Sequence, residues 1–147
     1  MTTAATIAVV GLYALALVAV SLTTPGRTLA KGEWKCFDEW CVTLVSSSRT
    51  GDSLTLQLSV QNRGRREQAP DTPRAWLTGD GGRDEVSIPG LAARVPGGST
   101  VALAPVTLVA PASGHPAFLV TEGGFPSILV IGDENSPFHA PSRWELG

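Results

Sequence analysis

The chain holds two cysteines, Cys36 and Cys41, in the stretch KCFDEWCVTL. Two thiols at this spacing can cycle electrons, supply half of a metal site, or close a disulfide. A thioredoxin-like redox centre requires two intervening residues and a βαβ setting, and neither is present. A metal site would need His115 and His139 as further ligands, at spacings of 5, 74 and 24 residues along the chain, which no compact zinc finger uses. A disulfide needs Cα atoms within about 7 Å of each other. On an extended strand, residues five apart stand roughly 16 Å apart and on opposite faces, so the chain must turn at Phe37-Asp38-Glu39-Trp40. The expected structural disulfide closes a ring worth about 2 kcal/mol by chain-entropy scaling. Two free thiols are the alternative, in a cytoplasmic setting.

Other polar clusters carry weaker chemistry. Asp133, Glu134, Asn135 and Ser136 put four oxygen-bearing side chains in a row, but without the every-second-residue spacing and bidentate glutamate of a calcium loop. They read as a turn. His139 has Ser136 and Ser142 nearby in sequence, yet neither serine sits in a nucleophile elbow and no oxyanion hole is recognisable. No catalytic residue, metal ligand or cofactor-binding residue is therefore expected. Arg63, Arg65 and Arg66, in NRGRR, are candidates for contact with a carboxylate surface or an anionic headgroup, against the plainer reading of a solvated hairpin tip. Trp34 is a candidate for contact with a membrane surface or a partner.

These residues sit behind an apolar run. Residues 4–22 read AATIAVVGLYALALVAVSL without a charge, and a helix of that length spans about 29 Å, close to the hydrocarbon thickness of a bilayer. Residues 1–24 are therefore expected to form a transmembrane helix. A cleaved secretory signal is the competing reading, but the apolar part is long for one and MTTAAT lacks a basic residue. Ala4, Ala8 and Gly11 line one side at helical spacing, a small-residue surface suited to close approach by another helix. Arg27, Lys31 and Lys35 follow the helix, which by the positive-inside rule puts the rest of the chain in the cytoplasm. The cysteine pair argues for the outside, and the extracytoplasmic orientation is preferred.

Residues 25–33 read as a linker that opens on a Pro25-Gly26 stop signal, and residues 34–147 as one domain with an irregular tail from Asp133 onward. Charged residues make up 16% of the chain, below the roughly 25% of soluble proteins, with 16 glycines and 11 prolines. That composition favours many turns and short strands. The net charge of −2 has both signs interspersed, which excludes a nucleic-acid footprint. LTLQLSVQN alternates Leu54, Leu56, Leu58 and Val60 with polar residues, the period of a strand with one buried face. Further strands are expected at 41–46, 74–78, 85–88, 100–108, 117–121 and 127–131, with Pro105 at an edge or bulge. About seven strands without helical periodicity after residue 25 suit an immunoglobulin-like antiparallel β-sandwich better than a barrel.

The order CFDEWCVTL, LTLQLSVQN, VPGGSTVAL, ILVIGDENSPFH resembles a group of bacterial membrane-anchored or secreted immunoglobulin-like domains, over residues 35–146. The resemblance implies a β-sandwich outside the cytoplasm and brings no catalytic residues with it. The chain departs from some of that group in lacking a lipobox cysteine after the apolar run. The expected role is a non-enzymatic single-pass accessory subunit of a larger complex in the bacterial cytoplasmic membrane, such as a respiratory or photosynthetic assembly. Its partners would be membrane lipid and other subunits. The alternative is a stand-alone envelope module that binds a ligand or protein through its loops.

Overall fold

The structure, a computed structural model, describes residues 2–112, 114–123, 129–131 and 138–147. They fall into two compact units, Met1–Arg27 with Gly124–Pro141, and Thr28–Gly123 with Ser142–Gly147.

The first unit contains helix α1 (Thr2–Thr23). Alanine and leucine hold the helix at low entropic cost, and Pro25 ends it. The hydroxyls of Ser21, Thr23 and Thr24 donate to the carbonyls four residues back, at 2.7, 2.8 and 2.8 Å, so the polar groups of the last turns are satisfied locally. The helix is long and apolar enough to cross a bilayer, a test that a signal sequence also passes. Ile7, Leu12, Leu15 and Leu22 are each at least 65% exposed.

The second unit is mostly β, with ten strands among the described residues. One sheet has the order β1-β10-β9-β5-β6, formed by β1 (Thr28–Leu29), β10 (Arg143–Glu145), β9 (Ala117–Glu122), β5 (Pro73–Gly79) and β6 (Gly82–Val86). The other runs β2-β3-β4-β7, from β2 (Lys35–Phe37), β3 (Trp40–Thr50), β4 (Ser53–Asn62) and β7 (Thr100–Ala102), and β8 (Val106–Val109) also pairs with β4. Apolar rows from both sheets meet in one core. Leu54, Leu56, Leu58 and Val60 of β4 face Ala75, Leu77, Phe118 and Val120 within a single buried cluster that also takes in Trp40 and Trp144. β4 fulfils the alternation read from its sequence, and β5 and β9 lie within a residue of their expected bounds.

Several expectations need correction. The strand count is ten rather than seven because short strands flank the longer ones: β1 lies within the stretch read as linker, and β2 is the first arm of the cysteine hairpin. The span 100–108 is two strands, because Pro105 has no N–H for the ladder and falls between β7 and β8. The strand expected at 85–88 starts earlier, since Gly79 pairs with Gly82 and the turn is Asp80-Gly81. At 127–131, residues 129–131 form turns rather than a strand, and 127 and 128 lie outside the described residues. The tail is not all irregular: Arg143–Glu145 forms β10, flanked by β1 and β9. Trp144 on β10 is fully buried, 6.0 Å from the Phe118 ring.

The indole N–H groups of Trp40 and Trp144 are buried without an acceptor among the described residues. Trp144→Ala should therefore cost about 3–5 kcal/mol of stability in urea unfolding, whereas Trp144→Phe should cost clearly less, because it also removes an unpaired buried donor. Equal losses for the two variants would contradict this packing.

Candidate interaction surface

Cys36 and Cys41 are joined in a disulfide with a Cα–Cα distance of 3.9 Å. The expected turn is a two-residue loop, Asp38-Glu39, closed by the Phe37–Trp40 pair. Asp38 adopts φ 52°, the left-handed conformation that aspartate tolerates better than most residues. In such a hairpin the closing pair exchanges hydrogen bonds, so the next pair, Cys36 with Cys41, is a non-hydrogen-bonded one, where Cα atoms come within about 4.5 Å. Turn length and ladder phase thus bring the two sulfurs together. Phe37 and Trp40 project inward with their rings 5.7 Å apart. The disulfide consumes both thiolates that a site with His115 and His139 would require. Among the described residues, no three His, Cys, Asp or Glu side chains are grouped to hold a metal. The His139 Nδ1–H donates to the Ala140 carbonyl at 2.9 Å, and Ser142 is buried. The Asp133–Ser136 cluster lies outside the described residues.

Arg63, Arg65 and Arg66 follow β4 and are exposed, in a loop that leads on to the other sheet rather than back along a hairpin. The loop is built around Asn62, which is fully buried. The Asn62 amide donates to the carbonyls of Arg66 at 2.7 Å and Val95 at 2.8 Å, while its oxygen accepts from the Gly64 N–H at 2.8 Å. The Arg63 N–H donates to the Glu39 carbonyl at 2.7 Å, which ties the loop to the cysteine hairpin. Gln68 and Val95 bond each other through both backbone pairs. A side chain at Gly97 would collide with the Arg65 backbone, so the loop lies flat against the neighbouring segment because that residue is glycine. Three exposed guanidinium groups project from this fixed backbone. Arg63 reaches the Cys36 sulfur at 3.8 Å, and the carboxylate of Glu39 packs over Gly64.

Trp34 is 37% exposed, in the segment that leads into β2. That segment is pinned to β3 by the Gly32 N–H to the Leu44 carbonyl at 2.8 Å and by the Thr43 hydroxyl to the Glu33 carbonyl at 2.9 Å. Lys35 is buried, with its ammonium on the Ser142 carbonyl at 3.3 Å and 5.2 Å from the centre of the Phe37 ring. One of the three basic residues behind the positive-inside argument is thus occupied inside the fold.

On α1, Ala4, Ala8 and Gly11 are exposed, and a side chain at Gly11 would meet nothing within 4 Å. The roughly opposite face, by the period of an α-helix, carries Tyr13, Leu17 and Ser21. The Tyr13 hydroxyl donates to the Leu129 carbonyl, and Leu17 and Ser21 are buried.

Sequence reasoning missed two features of the second unit. A cleft of about 510 Å³ has Ala75, Val86, Ile88 and Leu91 in its lining, and Arg74 and Glu85 at its rim, 3.8 Å apart. Beside it, Arg83 stacks at 3.9 Å on the Trp76 ring, whose N–H donates to the Thr121 hydroxyl at 3.0 Å. Desolvation there lowers the Arg83 pKa from its usual value, and the Glu85 carboxylate opposes the shift. The alternation of Arg74, Trp76 and Thr78 was a usable signal for the outward row; the cleft depends on the loop after β6, which carries none. The role of Asn62 was also hidden, because its partners lie 4 and 33 residues away.

No family model matches the chain, and no curated protein or solved structure does either.

Removal of the disulfide by paired Cys36→Ser and Cys41→Ser should lower stability by about 2 kcal/mol. Asn62→Ala should cost more, about 3 kcal/mol, since it strands the Arg66 carbonyl and the Gly64 N–H and leaves the Val95 carbonyl with the Gln68 N–H alone. Denaturant midpoints for the two variants rank these contributions, and a larger loss from the cysteine variant would contradict the account of the loop.

Proposed function

We propose that the chain is a non-enzymatic single-pass membrane protein whose second unit is an immunoglobulin-like β-sandwich. It serves as an accessory subunit of a larger complex, with the sandwich on the extracytoplasmic face of a bacterial cytoplasmic membrane. The observation that carries this reading is the arginine corner. Asn62, Gly97 and the cysteine hairpin fix its backbone, yet no carboxylate forms an ion pair with Arg63, Arg65 or Arg66 among the described residues. A pre-ordered cationic fork loses little entropy on binding and suits a carboxylate-bearing protein surface.

Retention of α1 is supported by the bond from Tyr13 to Leu129, which engages the helix with a distant part of its own chain. The open small-residue side at Ala4, Ala8 and Gly11 suits a neighbouring helix. The disulfide supports an oxidising compartment, and the burial of Lys35 weakens the opposing charge argument. The role is mechanical: the helix packs laterally, the sandwich bridges extramembrane surfaces, and no cofactor takes part.

A second reading, a stand-alone envelope module, is favoured by the cleft between Arg74 and Leu91, whose volume falls within the range of ligand sites.

Native electrophoresis after mild detergent extraction separates the two. An accessory subunit comigrates with a much larger assembly, and Arg63→Ala, Arg65→Ala and Arg66→Ala together release it at least in part. Migration of the wild-type chain at its own size would overturn the subunit reading.

A further inference from the structure

Strand β8 forms an edge of the second sheet and pairs only with β4 among the described residues. The phase of that pairing is fixed at its end, where the Ala110 N–H donates to the Asp52 carbonyl at 2.8 Å. Alternation along an antiparallel ladder then directs the backbone of Leu108 toward β4 and that of Thr107 and Val109 toward the free edge. Two residues of N–H and C=O groups therefore stand ready for another strand.

Edge strands are commonly guarded by charge, brevity or proline. β6 carries Arg83, Asp84 and Glu85, β1 has two residues, and β2 has three with Lys35 among them. β8 carries no charge, and no charged residue occurs in sequence from Val95 to Thr121. Pro105 and Pro111 bracket it, which confines pairing to a short window. The outer face beside it is also free of charge: Thr55 stands across from Thr107, Ser46 from Gln57 and Gln61 from Thr100. Val109 on this face is 80% exposed, more than any other large apolar residue described.

We infer that β8 is a self-pairing edge for a second copy of this chain. Two copies align antiparallel about a two-fold axis at Leu108, so that Thr107 of each meets Val109 of the other. Both residues have the outward phase, so each of these pairs exchanges two backbone hydrogen bonds. The occupant is a second copy because the strand is complementary to itself: its outward groups fall symmetrically about Leu108, and no like charges are brought together. Hydroxyl and amide side chains on the adjoining face both donate and accept, which a two-fold interface requires. The contact is isologous, each copy offering the same strand, so the pairing closes as a dimer rather than extending as a fibre. A four-bond edge is smaller than the roughly 1,000 Å² of a stable interface, and a shared membrane raises the effective concentration at which it forms. The inference goes beyond the subunit reading and does not depend on which partner the arginine corner meets.

The test uses the full chain, labelled at its C-terminus in donor and acceptor pools and reconstituted together in phosphatidylcholine vesicles. Energy transfer should exceed the level of random proximity for the wild type and for Glu145→Lys, on the outer face of the other sheet. Val109→Lys, and separately Val109→Pro, should weaken the association at least about tenfold while circular dichroism stays unchanged. Transfer no higher than random for the wild type would overturn the inference. So would transfer that survives both Val109 variants, or that is lost with Gly11→Leu on the helix instead.

Discussion

The apolar row of β4 is the constraint from which the second unit follows. Leu54, Leu56, Leu58 and Val60 are all but inaccessible to solvent, and a strand that buries every second residue cannot shift register without turning its whole apolar set to water. That fixed register places β3 on one side and β7 and β8 on the other. It also sends Thr55, Gln57, Ser59 and Gln61 to the opposite face. The strand ends on Asn62, the next inward position, where an amide replaces an aliphatic side chain. The same alternation that builds the core thus delivers the residue that shapes the arginine loop.

The disulfide is secondary in this order of causes. The hairpin of β2 and β3 brings Cys36 and Cys41 together through turn length and ladder phase, and the bond then holds an arrangement that pairing already specifies. Its place matters more than its strength: it joins β2 to β3 beside Arg63, and the hairpin it closes holds the loop leaving β4 through the Glu39 carbonyl. Asn62 contributes through satisfied buried groups, which are costly to disturb.

What was legible in the sequence was periodic. The apolar run of α1, the two-residue period of β4 and the turn forced between the cysteines each follow from a local rule. What escaped was set by distant partners. Trp144 sits in a stretch of loop composition, and only the pairing of β10 with β9 and β1 makes it a core residue. The break at Pro105 was visible as a missing donor, but its consequence, a separate edge strand, depends on β4 supplying the ladder. The arginine triplet was visible as charge, whereas the order of its loop rests on contacts with Val95 and Gly97 that no spacing rule reaches.

The central claim is that an intact apolar helix anchors an oxidised β domain. Its most direct test is the intact mass of the chain recovered from the membrane fraction after alkylation without reduction. The account predicts a chain that retains residues 1–30 and takes up no alkyl group. A chain cut near residue 30, or one that carries two alkyl groups at Cys36 and Cys41, would contradict it.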